Sequence, residues 1–319
     1  MLKLDGIASF VAVAEAGSIS AAGRRLHLSK SVVSERLAEL ERGLSAPLFH
    51  RTTRKLSLTE DGTAFLERAV HIVREVEAAA AEMSERRGQL SGPMRISAPV
   101  TFGRMHLGPA LYPFLARHPA ISLTLELDDR RVDASAEGFD AVVRHGVIED
   151  SRLVAWQLAR SQRVVVASPA YLARHGSPGS LDELGAHRAI YYLNRGTADW
   201  RFLDANDRGV QRPAAALRVN NGDMMRDAAL AGLGLALLPS FIVGDALRSG
   251  ALISVDLGQA VEAESIYVAH PEGRRASAKL RALVQCLREG FGDPPYWDEG
   301  QAGPGIGSYG EQFAAALRS

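Results

Sequence analysis

The sequence is poor in cysteine and has no excess of charge of either sign. Cys286 is the only cysteine among 319 residues, which excludes intrachain disulfides and cysteine-rich zinc sites and favours a reducing compartment. A buried structural thiol is the favoured interpretation of Cys286, with a redox switch as the alternative. Lys plus Arg and Asp plus Glu both total 37, so attraction to an anionic partner must come from a local group of cations.

Long apolar runs are also lacking. No stretch approaches the roughly 18 to 20 apolar residues that span a bilayer. The first apolar stretch is interrupted by Asp5 and Glu15 and lacks a basic leader, so it predicts a mature helix in a soluble, cytoplasmic protein. Hydrophobic residues make up 46% of the chain, enough for a sizeable core in each of two domains, and the length predicts two or three globular units.

Motifs of enzymes are absent as well. Gly232-Leu233-Gly234 superficially suggests a dinucleotide fingerprint, but a predicted helix precedes these glycines and a strand follows, which is the reverse of that motif. There is no phosphate-binding loop, no metalloprotease histidine pair and no nucleophile elbow, and the nine histidines are scattered. The sequence therefore predicts no catalytic residue, no metal site and no cofactor.

The first sixty residues show the pattern of short helices joined by tight turns. A first helix ends at Gly17, Ser18 caps a helix through Leu26, and Ser29 caps a third from Lys30 to Arg42. The turn between the second and third helices is three residues long. This arrangement predicts a helix-turn-helix.

The outer face of the third helix carries the residues suited to the major groove of DNA. Short hydroxyls and cations reach bases and phosphates there, and a following basic hairpin-like segment suits a wing that grips phosphates. The candidates are Ser29, Lys30, Ser31, Ser34, Glu35 and Arg36 on the helix, and Arg51, Thr52, Arg54 and Lys55 on the wing. The alternative is a helix pair that merely packs, followed by a solvated basic loop, because residues 1–60 carry a net charge of only three.

These segments resemble the LysR-type transcriptional regulators, and the similarity covers nearly the whole chain. It is carried by Phe10-Val11-Ala12-Val13-Ala14-Glu15-Ala16-Gly17-Ser18, Ala21-Ala22, Leu26, Leu28-Ser29, Val32-Val33-Ser34, Leu37, Leu40-Glu41, Leu48-Phe49, Arg51, Arg54, Leu58-Thr59 and Gly62. Lys30 stands where many members carry glutamine, Glu35 where many carry a basic or polar residue, and Ser45 where glycine is frequent. Because Lys30 and Glu35 bear on base contacts, no half-site sequence is transferred.

A long helix is predicted after the wing. Thr59 caps it, and an apolar seam at three- and four-residue spacing predicts a linker and dimerisation helix over residues 59–90, ended by a hinge at Ser91-Gly92-Pro93. The seam is formed by Phe65, Ala69, Ile72, Val76, Ala79 and Met83. The alternative is a helix lying on its own domain's core. The resemblance implies a homodimer or homotetramer that presents two reading heads to double-stranded DNA with an interrupted dyad, with RNA polymerase as a further partner.

Strand and helix patterns alternate in the remaining two hundred residues, which predicts an α/β half. The resemblance implies a two-lobed domain like a periplasmic binding protein, and good local matches are Phe139–Arg144, Ser168–Leu172 and Ala231–Pro239. The expected effector-binding domain covers residues 91–291. Lobe I is expected over about 91–162 and 268–291, lobe II over about 163–267, and a loosely ordered tail over 292–319.

A small-molecule effector of unknown identity is expected between the lobes. Strand ends and helix amino termini offer free donors there, which selects Val100, Thr101, Phe102, Asn220, Asn221 and Arg144. The alternatives are that Thr101 and Asn221 cap helices and that Arg144 forms an internal salt bridge. Asp223 and the lack of a clear cationic cluster argue against an inorganic anion.

The sequence thus predicts a multidomain chain with two parts. An all-α winged helix-turn-helix domain, residues 1–58, is followed by the linker helix and the two-lobed α/β domain. The expected function is sequence-specific DNA binding under effector control, without catalysis. The rival hypothesis is a small-molecule-binding protein or enzyme whose amino-terminal module only assembles subunits.

Overall fold

The computed structural model describes residues 2–51, 56–85, 89–146, 152–200, 202, 212–259, 261, 264–272 and 276–299. Contacts between residues divide the chain into two units, Met1–Pro93 and Met94–Ser319, and each is described by itself. None of the helices in these described ranges has the length and apolar character that a bilayer span demands.

The first unit is a bundle of helices with one small hairpin. Its elements are α1 Leu4–Ala16, α2 Ile19–Leu26, α3 Lys30–Leu44, β1 Phe49–Arg51, β2 Leu56–Leu58 and α4 Glu60–Glu85. Gly17 adopts a left-handed conformation with φ 65° and ends α1. The hydroxyls of Ser18 and Ser29 accept hydrogen bonds from the amides of Ala21 and Val32, so both predicted caps are confirmed.

The core of this unit joins α4 to α1. Phe10 is fully buried, and its ring lies 5.3 Å from that of Phe49 and 5.5 Å from that of Phe65. Ala69 is also fully buried in this cluster. The prediction that Ala69 contacts a partner helix is therefore wrong, because the first turns of α4 already pack against their own domain. Phe65 packs against the same core but is only partly buried, so its contact with a partner helix stays a prediction.

The linker helix is shorter than predicted. The described helix ends at Glu85, and Gln89 and Leu90 are not helical. The expected hinge at Ser91-Gly92-Pro93 coincides with the division of the chain after Pro93, and Gly92 and Pro93 begin a strand, β3 Gly92–Ala98. Gly92 has φ 90°, a backbone conformation that favours glycine.

The second unit contains two five-stranded sheets, one for each predicted lobe. The lobe I sheet has the order β4-β3-β5-β12-β6, and the lobe II sheet has the order β11-β7-β10-β8-β9. The strands after β3 are β4 Ile121–Leu127, β5 Ala141–His145, β6 Leu153–Ser161, β7 Arg163–Ala167, β8 Arg188–Tyr192, β9 Ala214–Val219, β10 Leu235–Pro239, β11 Ile253–Ser254 and β12 Glu264–Pro271.

Helices connect and cover these strands. They are α5 Val100–Phe102, a π-helical turn Gly103–Leu107, α6 Gly108–Arg117, α7 Pro169–His175, α8 Gly222–Leu230, α9 Ser240–Arg248 and α10 Ala278–Phe291, with 3₁₀ turns at Asp182–Ala186, Leu193–Ala198 and Tyr296–Asp298. Gly232 ends α8 with φ 74°, a conformation that strains other residues, as its position before a buried strand predicts.

Two adjacent strands carry the chain between the lobes. β6 leads into β7, and β12 returns the chain to the lobe I sheet. β12 pairs with β6 from Glu264 opposite Ser161 to Pro271 opposite Leu153. Because this pairing begins at the first residue of β12, the second lobe boundary lies at residue 264 rather than at the expected 268.

The segment after α10 is packed rather than loose as far as residue 299. Trp297 is 2% exposed, and its ring contacts Phe102, His106, Phe241 and Phe291. The expectation of a loosely ordered tail is therefore wrong for residues 292–299, because a large aromatic side chain is buried there. The remaining tail, 300–319, lies outside the described residues.

Histidine and arginine side chains connect the same segment to both lobes. His106 Nδ1 lies 2.6 Å from the Tyr296 hydroxyl, and its Nε2 lies 2.9 Å from the carbonyl oxygen of Phe241. Arg248 donates a hydrogen bond to the carbonyl of Trp297 at 3.1 Å. Elsewhere in the second unit, the half-buried Cys286 of α10 lies 3.1 Å from Nη2 of Arg117 in α6.

Candidate functional site

One face of α3 is polar and exposed, as the DNA-reading hypothesis requires. Its opposite face is buried through Val33, Leu37 and Leu40. The exposed residues include Ser29, Lys30, Ser31, Ser34 and Glu35. This division leaves the predicted recognition face free of the domain's own core.

Not every side chain on this face is equally free to contact a partner. The Ser29 hydroxyl caps α3 and lies 2.8 Å from the Ser31 hydroxyl. Arg36 Nη2 lies 2.9 Å from a carboxylate oxygen of Asp5 in α1. Lys30 is exposed at the first turn of the helix, which makes it the better position for testing a phosphate contact.

The predicted wing is an antiparallel pair. Phe49 lies opposite Leu58 and Arg51 lies opposite Leu56. Thr52, Arg54 and Lys55 lie outside the described residues, so only the backbone that carries the loop is observed.

The second half of the predicted dimer seam is exposed. Ile72 is 41% exposed, Val76 45% and Met83 52%, and Ala79 is exposed as well. Large apolar side chains in line on one helix face without cover from their own unit are typical of an interface.

A cavity of about 310 Å³ lies between the two sheets of the second unit. Residues after β3 and β4 line it from lobe I, and α8, β10 and the start of α9 line it from lobe II. Its apolar wall comprises Phe102, Met225, Leu237, Leu238, Phe241 and Ile242. The predicted effector residues Thr101, Phe102 and Arg144 are in contact with this cavity.

Two of the other predicted effector residues, Val100 and Asn221, contact Asp129, which lines the cavity. Asn221 accepts a hydrogen bond from the amide of Met224 and so caps α8, as the alternative interpretation of the sequence predicts. Its side-chain nitrogen lies 3.5 Å from Asp129 Oδ2, while the Val100 amide donates to Asp129 Oδ1 at 2.9 Å. Val100, Asn220 and Asn221 are not among the described residues that line the cavity, and Asn220 is exposed.

Polar contacts join the two lobes around the cavity. The Thr101 hydroxyl donates to Asp223 Oδ2 at 3.1 Å, and Arg104 forms an ion pair with the same carboxylate. At the other side, Arg195 of lobe II pairs with Glu264 of β12 through two nitrogens, at 2.5 and 2.7 Å. Thr101 thus bridges the lobes instead of capping a helix.

Arginines line the cavity, which corrects the expectation that a cationic cluster is lacking. They are Arg130, Arg131, Arg144, Arg163 and Arg195, accompanied by Asp128, Asp129 and Glu264. The sequence carries a signal for part of this group, because Asp128-Asp129-Arg130-Arg131 directly follows β4. Arg163 and Arg195 come from distant segments, and only the fold brings them to the cavity.

A buried histidine lies at the base of this charged group. His145 Nε2 lies 2.9 Å from the Ser161 hydroxyl and 3.2 Å from Glu264 Oε2, and Arg195 Nη2 lies 3.5 Å from its Nδ1. Burial lowers the pKa of His145 to about 4, against an ordinary value of about 6.5. His145 is therefore neutral at physiological pH.

This histidine should make the fold sensitive to mild acid. Because the folded pKa lies below the unfolded one, the stabilisation is complete above about pH 6.5 and is lost as the pH falls towards 4. Between pH 7 and pH 5 the wild type should lose about 2 kcal/mol more of its unfolding free energy than His145→Gln, which cannot take up that proton. Urea unfolding of both proteins at both pH values measures this difference, and equal losses would contradict it.

Comparisons with known proteins agree with this architecture. The chain matches the model of the LysR substrate binding domain over residues 87–292 and that of the bacterial regulatory helix-turn-helix protein, lysR family, over residues 4–63. It is 34% identical to the uncharacterized HTH-type transcriptional regulator YhjC of Escherichia coli K12, over 90% of this chain and 97% of that protein. It is 33% identical to the HTH-type transcriptional regulator PtxR of Pseudomonas aeruginosa, over 92% and 95%.

A solved structure gives the same result. The LysR-type transcriptional regulator CrgA from Neisseria meningitidis aligns with a TM-score of 0.57 at 30% identity, covering 89% of this chain and 97% of CrgA. These families and relatives are transcriptional regulators rather than enzymes. The chain belongs to the LysR family of transcriptional regulators, with a helix-turn-helix domain for DNA and a substrate-binding domain for a small-molecule effector.

Proposed function

We propose that the exposed face of α3 reads base edges and phosphates in the major groove. The observation that carries this proposal is the division of α3 into a buried apolar face and an exposed polar face. The proposed contacts are Ser29, Lys30, Ser31, Ser34, Glu35 and Arg36, with Arg51, Thr52, Arg54 and Lys55 gripping phosphates from the wing.

Two such modules would act together on double-stranded DNA with an interrupted dyad. The exposed apolar residues Ile72, Val76, Ala79 and Met83 support pairing of α4 with a second copy, in a homodimer or a homotetramer. Because its partner is genomic DNA, the protein would act in the cytoplasm, with RNA polymerase as a further partner at the promoter.

The cavity between the lobes is the proposed effector site. Thr101 bonds to Asp223, Asn221 contacts Asp129, and Arg195 pairs with Glu264, so the lobes are connected by polar groups that surround the cavity. A ligand that adds to or competes with these contacts changes the relative stability of open and closed lobes. Through the dimer, that change would alter the spacing of the two reading heads.

The test is a gel shift of the full-length protein on the DNA upstream of its own gene, over a series of salt concentrations. Lys30→Ala should weaken binding and reduce the slope of log affinity against log salt by about 0.9 for each phosphate that the lysine no longer neutralises. Because the dimer presents this lysine twice, the reduction should approach twice that value.

Arg174→Ala is the matched control, since it removes one exposed cation from α7 in the second unit and should leave both affinity and slope unchanged. Unaltered affinity and slope for Lys30→Ala would contradict its proposed phosphate contact. Absence of specific DNA retention by the wild type at any salt concentration would contradict the proposed recognition as a whole.

A further inference from the structure

One guanidinium at the cavity has no carboxylate bonded to it in the described part of the chain, although Asp128 and Glu137 are near enough to attract its charge. Arg144 lies near the end of β5, opposite Tyr267 of β12, and lines the cavity. Its Nη1 donates to the carbonyl of Val143 at 2.8 Å. Its Nη2 is enclosed, and no described residue provides it with a hydrogen-bond acceptor. An enclosed N–H of a charged group without an acceptor is costly, and proteins retain such groups where a ligand or a function needs them.

Three of the other four arginines at the cavity are paired with carboxylates. Arg195 pairs with Glu264, and Arg163 donates to Asp199 at 2.9 Å. Arg130 donates to Asp128 at 2.8 Å and to Glu137 at 2.6 Å. Arg144 therefore differs from these three, because its charge has no carboxylate bonded to it.

The two acidic residues after β4 are also engaged. Asp128 accepts from Arg130, and Asp129 accepts from the Val100 amide at 2.9 Å and lies 3.5 Å from the Asn221 side-chain nitrogen. Burial raises the pKa of Asp129, so this carboxylate takes up a proton more readily than an exposed aspartate does. These interactions limit the repulsion that an entering anion would meet.

The remaining wall of the cavity determines the polarity of the rest of the ligand. Phe102, Met225, Leu237, Leu238, Phe241 and Ile242 give an apolar surface beside the arginine. The volume of about 310 Å³ is at the small end of the range of about 300 to 1,000 Å³ that is usual for ligand sites. A ligand for this space is small, apolar over most of its surface, and anionic at one end.

We propose that the cleft binds a small organic carboxylate, whose carboxylate group pairs with Arg144 while its apolar body lies on the Phe102 and Phe241 wall. This proposal rests on the proposed role of the cleft as the effector site. Because Nη2 is enclosed in the ligand-free protein, binding requires a local rearrangement that exposes it to the ligand oxygen, which then takes the place of the missing acceptor. Planar carboxylates suit a guanidinium because two parallel N–H groups can donate to two oxygens.

The test uses the full-length protein with pairs of ligands that differ only in charge. The probes are benzoate with benzamide, phenylacetate with phenylacetamide and hexanoate with hexanamide, and inorganic phosphate serves as an anion without an apolar body. At least one acid should raise the melting temperature and give a measurable Kd by calorimetry, whereas its amide should not. Arg144→Gln should raise that Kd by at least about tenfold, and Arg144→Lys should retain part of the affinity.

Two controls separate loss of binding from loss of folding. Arg174→Gln, which makes the same chemical change on an exposed helix, should bind the acid as the wild type does. Ligand-free Arg144→Gln should melt close to the wild type, because the group removed has no carboxylate partner to lose. If the melting temperature of ligand-free Arg144→Gln falls as far as it would on loss of a buried ion pair, Arg144 has a structural role. That result would overturn the proposal.

The other outcomes are equally decisive. Equal binding of acids and amides, full affinity in Arg144→Gln, or no response to any acid would overturn the carboxylate assignment. A response to phosphate alone would replace it with an anion site that needs no apolar body. If the protein retains its DNA specifically in the salt series but ignores every acid, only the ligand class fails, and the proposed DNA recognition stands.

Discussion

Trp297→Ala should lower the unfolding free energy of the second unit by about 3 to 5 kcal/mol, the usual effect of deleting a buried large aromatic side chain. The indole ring lies between lobe I, where it contacts Phe102 and His106, and lobe II, where it contacts Phe241. Since Phe102 and Phe241 also line the cavity, the loss should loosen one wall of the cleft. The expected result is therefore a stability defect accompanied by weaker ligand binding.

Differential scanning calorimetry of the second unit's transition in the full-length protein measures this effect. Trp297→Phe should lose less, because a smaller ring keeps part of the contact area. Tyr112→Ala is the control for loss of an aromatic ring, since Tyr112 is 68% exposed and should change stability by no more than about 0.5 kcal/mol. Equal transitions for wild type and Trp297→Ala would show that the segment after α10 does not hold the lobes.

Asp199→Ala should cost a similar amount, about 3 to 5 kcal/mol, for an electrostatic reason. The Arg163 side chain is 4% exposed and that of Asp199 is 1% exposed, and their atoms approach to 2.9 Å. Asp199 Oδ2 also accepts a hydrogen bond from the Tyr192 amide at 2.7 Å. Removing the carboxylate leaves the Arg163 guanidinium enclosed without its counter-ion.

A double replacement distinguishes loss of the pair from a general packing defect. Arg163→Met combined with Asp199→Ala should recover part of the lost stability, because the uncompensated buried charge is removed. Asp245→Ala is the matched control: Asp245 pairs with Arg248, is 83% exposed and should contribute no more than about 1 kcal/mol. Urea unfolding of the four proteins gives the comparison. A loss for Asp199→Ala no larger than for Asp245→Ala would contradict the proposed cost of the unpaired charge.

Much of the amino-terminal domain follows from local sequence signals. Gly17 ends α1, and Ser18 and Ser29 begin α2 and α3, because each signal acts on hydrogen bonds within three or four residues. The spacing of residues along α3 likewise predicted which of them lie on its exposed outer face. Spacing could not predict the division of the seam on α4, where Ala69 is buried and Ile72 exposed, because that depends on where α1 covers the helix.

The candidate effector site was predicted less completely. Thr101, Phe102 and Arg144 line the cavity, as their places after strands suggested. Asn221 instead caps α8 and contacts Asp129. The local sequence was compatible with either a helix cap or an effector contact at this position. Arg163 and Arg195 were missed because their partners lie far away in sequence: Asp199 is 36 residues from Arg163, and Glu264 is 69 residues from Arg195.

By itself the sequence determined the helix-turn-helix, the alternation of strands and helices in the second unit, and the family. These features depend on backbone hydrogen bonds and side-chain spacing over a few residues, which the chain carries locally. Only the tertiary structure decided that Trp297 packs between the lobes, that Thr101 meets Asp223 across 122 positions, and that Arg144 has no carboxylate bonded to it in the described residues. Such contacts arise when sheets and helices pack, because burial and charge pairing depend on groups that the sequence places far apart.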